Sequence, residues 1–237
     1  MTAPRLLALL GVVLIAPPAL AASETATVVE ILDGKELFIE SRPAKVNERA
    51  KTPETVSTRN SRGQLRFQTG AVGRMSRFSQ MRLGSRCFLL STGEVLVSGP
   101  QSGCTQSSRM SVRGTNYVLS VADDGQAELS VLEGTVEVEP LRDGEPTGEQ
   151  PTTVNAGESL KLTAEGVVLL LRRLSAGDYN AILGGPLFEG FTLPLPGLGA
   201  LESYIRSSVP GVNIPWAPSV PSVPVPSVPS FGIPRFF

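Results

Sequence analysis

Hydrophobic and polar positions alternate in short runs from Ala26 to about Thr163, and Gly punctuates them. Val28-Val29-Glu30-Ile31-Leu32 leads through Asp33-Gly34 to Glu36-Leu37-Phe38-Ile39-Glu40. A period of two predicts strands with one face buried. The clearest hairpin joins Tyr117–Val121 to Ala127–Leu132 through Ala122-Asp123-Asp124-Gly125-Gln126, because Gly after Asp supplies the positive φ of a tight turn. A Gly followed by an alternating strand recurs at Gly93-Glu94-Val95-Leu96-Val97, Gly134-Thr135-Val136-Glu137-Val138 and Gly157-Glu158-Ser159-Leu160-Lys161-Leu162. Between Arg42 and Ser57 the chain is polar, carries Pro43 and Pro53, and reads as a long loop. The expected fold is all-β: a Gly-punctuated β-roll or sandwich, jelly-roll or β-helix-like.

Near Leu174 the pattern changes. Ser175-Ala176-Gly177-Asp178 predicts a capped short helix through Leu183, stopped by Gly184-Gly185-Pro186, and a second helix is expected over Leu198–Ser207. Eight Pro fall in the last 29 residues, where Pro-Ser-Val-Pro recurs. Such a tail samples extended polyproline II and reads as a spacer or ligand tail, or as disorder without function. The divisions expected are residues 1–21 as a signal peptide, 22–165 as the β domain, 166–207 as a short helical extension and 208–237 as a Pro-rich, low-complexity, disordered tail.

The signal-peptide reading rests on Arg5 before the apolar run Leu6–Ile15, the break at Pro17-Pro18 and the small residues of Ala19-Leu20-Ala21. The run is shorter than the roughly 20 apolar residues of a spanning helix. The alternative is an uncleaved anchor. Gly166–Leu171 is also apolar but stops at Arg172 and Arg173, so no integral membrane segment is expected after cleavage. The expected location is extracytoplasmic, periplasmic or secreted. In an oxidising compartment Cys87 and Cys104 are most simply one disulfide, the alternative being a reactive pair.

Composition narrows the chemistry. The chain of 237 residues has no His, 2 Cys and a formal net charge of −1. Ser-His-Asp and Cys-His catalysis and His-ligated zinc are excluded, and two Cys cannot complete a four-cysteine zinc site. No Gly-rich phosphate loop and no calcium-ligand spacing occur, so no cofactor or metal is expected. The charges are segregated: seven Arg and no acid lie between Ser57 and Gly93, whereas Asp123–Glu158 holds ten acids and only Arg142. Either neighbouring strands match these blocks internally, or the Arg form a face for an anionic glycan, a lipid headgroup or an acidic protein partner such as an envelope protein. Arg74, Arg77, Arg82 and Arg113 are the candidate binding residues. Nucleic acid is not an expected partner, given the acidic balance and the leader.

Ala71-Val72-Gly73-Arg74-Met75-Ser76 with Ser79, Gly93–Val97, Val112-Arg113-Gly114-Thr115-Asn116-Tyr117-Val118, Val131-Leu132-Glu133-Gly134-Thr135-Val136-Glu137-Val138 and Val154-Asn155-Ala156-Gly157-Glu158 together resemble a FecR domain. The resemblance covers about Ala26–Thr163, and its most specific part is the Arg-Gly-Thr strand followed by the Leu-Glu-Gly strand. The Cys pair and Gly185–Phe191 with Pro194–Gly197 resemble the secreted cyanobacterial branch. FecR-like proteins include periplasmic regulators that relay a transporter signal through a membrane helix to a sigma factor. The resemblance implies their periplasmic interaction domain without the transducing half, and no catalytic residues.

On the residues alone, Gly114 permits a tight turn, Thr115 can bond a nearby backbone group, and Arg113 can bridge Glu133. The Arg-Gly-Thr corner then either holds the fold or holds a ligand. The first functional expectation is a non-enzymatic interaction or scaffold module for another envelope component. The alternatives are a periplasmic signalling partner of a separate membrane regulator and, with least support, a carboxylate-based glycan hydrolase.

Overall fold

The computed structural model describes residues 24–216, so the expected leader and most of the Pro-rich tail lie outside the described residues. The chain opens with β1 (Thr25–Leu32), β2 (Leu37–Ile39), β3 (Arg42–Pro43), β4 (Arg49–Lys51), β5 (Thr55–Thr58) and β6 (Arg62–Phe67). It continues with β7 (Val72–Met75), β8 (Gln80–Leu83), β9 (Phe88–Gly99), β10 (Gly103–Cys104), β11 (Ser108–Val112) and β12 (Thr115–Val121). β13 (Ala127–Glu133), β14 (Thr135–Arg142), β15 (Glu145–Pro146), β16 (Thr152–Asn155), β17 (Glu158–Leu162) and β18 (Val168–Arg173) follow. Two helices, α1 (Ala176–Leu183) and α2 (Leu198–Ser208), close the described chain. The expected all-β class holds, and the architecture is a sandwich.

Sheet A runs β4-β1-β6-β7-β9-β12-β13-β17-β18, antiparallel throughout. Sheet B runs β3-β2-β5-β8-β9-β10-β11-β14-β16, antiparallel except for β9 beside β10. β9 belongs to both: its first half pairs with β8 in sheet B, its second half with β7 and β12 in sheet A. The transfer occurs at Gly93, where φ is +88 and an added Cβ would sit 2.4 Å from the Ser79 Cα. Only Gly fits that corner. The Glu94 N–H donates to Ser79 Oγ there at 3.0 Å, stitching the β7–β8 connection to the bend.

Alternation then sorts side chains between two cores. Val95, Val97, Leu119, Leu129 and Leu160 of sheet A meet Leu37, Val56, Phe88, Leu90, Met110 and Val138 of sheet B in the inter-sheet core. Val72, Leu96, Val118 and Leu132 point to the opposite side of sheet A, where Leu174, Tyr179, Leu183, Leu187, Phe188, Leu201 and Ile205 cover them. The molecule therefore has three layers: sheet B, sheet A, and the C-terminal segment.

Two expectations change. The polar stretch 42–57 is not a loop, because β3, β4 and the start of β5 lie in it as short edge or near-edge strands. Residues 166–207 are not simply helical: β18 extends sheet A, so a boundary at 165 falls between adjacent strands of one sheet. That segment supplies eight of the thirteen buried residues of the second core. The predicted hairpin 117–132 and both helices are present, with the Ser175–Asp178 capping box formed. Among the described residues no helix is long and apolar enough to cross a membrane.

Candidate binding face and the fate of the arginines

The Arg-rich block does not form one face. Arg62, on β6, is 7% exposed and donates bidentately to Asp33 at 2.6 and 3.1 Å, and also to the carbonyls of Pro186 and Glu189. Arg74, on β7, is 5% exposed. It donates to Gln64 Oε1 at 2.7 Å and to the carbonyls of Leu187 and Leu193 at 3.1 and 2.8 Å, and its guanidinium lies 4.4 Å from the Phe191 ring centre. Burial without a carboxylate in contact pulls its pKa down to about 10. Glu30 completes the clamp by accepting from the Thr192 N–H and hydroxyl at 3.0 and 2.7 Å. These groups fasten residues 186–193 to the outer face of sheet A, so Arg74 is a fastening of the fold and is not open to an outside partner.

Arg77 is exposed but committed: it donates to Asp33 at 2.8 Å and to the Asn60 carbonyl at 3.0 Å. The Arg62 bond, reinforced by Arg77, holds Asp33 below the usual carboxylate range. The acidic block answers to other cations. Glu128 faces Lys161 and Arg172, and Glu139 faces Arg109. Charge matching inside the molecule is thus real, but it does not join the two blocks to each other.

Arg113 is exposed and does not reach Glu133; Asn116 Nδ2 bonds that carboxylate at 2.8 Å and the Gly197 carbonyl at 3.1 Å. Thr115 does not act as expected either. Its buried hydroxyl has no partner among the described residues, while its methyl fills the space where a Cβ on Gly134 (φ +87) would sit, 2.6 Å away. This corner fixes the start of β12 against the β13–β14 turn and, through Asn116, anchors the C-terminal layer.

Arg82 remains. It is exposed on the outer face of sheet B, in a cross-strand row that runs Thr55, Arg82, Leu89, Cys104, Arg109, Glu139. Its neighbours along the strand, Met81 and Leu83, point into the inter-sheet core. Arg82, Leu89 and Cys104 of this row line an open groove of about 680 Å³, together with Cys87 of the Cys87–Cys104 disulfide, Ser107, Leu141 and Asp143 among others. The disulfide pins the groove's wall, with Cα atoms 5.8 Å apart across a sequence separation of 17. Farther along the row, the buried Arg109 Nε has no acceptor among the described residues. The structure therefore brings Arg82 together with both Cys, and separates it from Arg74, Arg77 and Arg113.

Sequence reasoning missed the groove because its lining comes from several distant segments: 82–91, 104–107, 121–125, 141–144 and 164. It also missed that the Gly185–Phe191 tract docks on Arg62 and Arg74. The available signal was the alternation itself, which places both arginines on the same face of their strands as Val72 and Leu96.

No family model matches the chain, and no curated protein matches it. Among solved structures it is similar to two crystal structures, each of a putative anti-sigma factor from Parabacteroides distasonis ATCC 8503. One gives a TM-score of 0.45 at 19% identity, covering 55% of this chain and 65% of that one. The other gives 0.41 at 18% identity, covering 51% and 59%. Both matches span less than two thirds of the neighbour's length.

Proposed function

We propose that the chain is a non-enzymatic, extracytoplasmic FecR-like module that binds another cell-envelope protein along the outer face of sheet B. One observation carries this reading. The outer face of sheet A is built over by the chain's own C-terminal layer, whereas that of sheet B bears an open groove with the exposed cation Arg82. A groove that sets the exposed cation Arg82 beside the apolar side chains of Leu89 and Leu141 suits an extended segment that combines apolar side chains with a carboxylate. Asp143 also lines it and opposes a uniformly anionic chain, so a protein segment is favoured over an anionic glycan. The disulfide is consistent with an oxidising compartment.

Capture from a solubilised envelope fraction tests this, using residues 22–237 and the variants R82E and L141D. The partner is expected on the native chain and absent from both variants, with melting temperatures unchanged, and it should release at high salt. A partner held equally by the variants would place the site elsewhere. Turnover of an envelope glycan by the native chain would overturn the non-enzymatic reading. A change in transcription of a defined gene set on deletion would mark the module as a signalling partner.

A further inference from the structure

Among the described residues, three of the four edges of sheets A and B are protected in ordinary ways. β3 is two residues long and ends in Pro43, β4 presents Arg49 and Lys51, and β16 is short and polar. β18 is the exception. It pairs with β17 on one side, and among the described residues nothing pairs with its other side. Val167, Val168, Leu169, Leu170 and Leu171 are 61, 47, 54, 47 and 45% exposed, an unbroken apolar run on an open edge. Opposed residues of an antiparallel pair share a face. Leu171 and Val168 therefore lie beside Leu160 and Leu162 at the margin of the inter-sheet core, while Leu170 lies beside Lys161 on the other side. The strand overhangs both faces of its sheet, and covering one face alone would leave half of the run in water.

The ends of the run carry opposite charges. Glu165 precedes it and Arg173 follows it; both are exposed, and neither makes an ion pair among the described residues. Arg172 is already tied to Asp178, and Glu158, opposite Arg173 in the ladder, turns its carboxylate to the Asn155 N–H at 2.8 Å. We propose that β18 is the interface at which two copies of this chain join, antiparallel about Leu169, so that sheet A continues from one copy into the other. In that register Val167 faces Leu171 and Val168 faces Leu170, and the β17–β18 turn that carries Glu165 comes next to Arg173 of the other copy, twice by symmetry. A self-complementary run of this kind fits a second copy on charge and on both faces at once. The bulge opposite Leu162 bends the strand near Leu169, but it removes none of the apolar side chains from water.

Sedimentation of residues 22–237 over a range of concentrations tests this. The native chain is expected to be a reversible dimer, and L169K a monomer with an unchanged melting temperature, since the replaced side chain is already half in water. E165R should weaken the dimer at least several-fold, and E165R/R173E should restore it, an outcome that general apolar stickiness would not give. A monomer at every concentration would overturn the proposal, whether the edge is then covered by residues 217–237, by another protein or by lipid vesicles. A dimer unaffected by L169K, or one not restored by the double charge reversal, would overturn it as well.

Discussion

Arg74 and Arg82 show what decides an arginine's role in this molecule. Both belong to a block without acids, yet one lies under a strap of backbone carbonyls and two Phe rings while the other faces solvent over a groove. The difference is the face of the strand. Replacing Arg74 with Met leaves Gln64 and the carbonyls of Leu187 and Leu193 without their donor inside a dry layer. A loss of about 2–4 kcal/mol is expected in urea denaturation, with faster proteolysis of residues 186–193. The same change at Arg82 should stay within about 0.5 kcal/mol. Equal effects at the two sites would contradict the division between a fastening and a free cation. Composition placed both residues in one list; only the register of β7 and β8 against β9 separates them.

Among the elements, α1 is the one whose start is written most plainly in the sequence. The Asp178 carboxylate accepts from the Ser175 N–H and hydroxyl, both at 2.7 Å, and from Arg172 at 2.9 and 3.1 Å. The Arg172 bond, followed by those from Ser175, holds the Asp178 pKa well below the ordinary range. A carboxyl depressed in the folded state contributes stability that is complete above its unfolded value, ~4, and is lost as pH falls below it. D178N should therefore lower the melting temperature at neutral pH by the worth of a cap, about 1 kcal/mol, and the gap from native should close on acidification. Glu94 carries the opposite sign: burial, then Glu128, pushes its pKa up, so its cost grows as pH rises. Comparing D178N with native at each pH removes that background. A gap that widens in acid would contradict the assignment.

Other elements were legible in proportion to how local their cause is. The 117–132 hairpin follows from Asp-Gly and alternation, both visible in a dozen residues. β3 and β4 were not visible, because two- and three-residue strands at a sheet edge need no alternation and tolerate Pro. β9 reads from the sequence as a strand starting after Gly93, whereas it runs through Gly93 from one sheet into the other.

Taken together, the three layers of the described residues leave the groove on sheet B and the edge of β18 uncovered by other described residues. The second core had a sequence trace: Val95-Leu96-Val97 and Val131-Leu132 are continuous apolar runs, which mark strands buried on both sides. The groove left no such trace, since the sandwich must form before its segments meet.

Arginine-selective labelling with phenylglyoxal, read by mass spectrometry on residues 22–237 alone and after incubation with solubilised envelope, separates the fastened arginines from the one over the groove. Alone, Arg82 and Arg113 should react while Arg62 and Arg74 stay protected. With envelope present, Arg82 should become protected while Arg113 reacts as before. Labelling of Arg74 as fast as Arg82 would contradict the fastened C-terminal layer, and an Arg82 that still reacts fully with a partner bound would contradict the groove as the binding face.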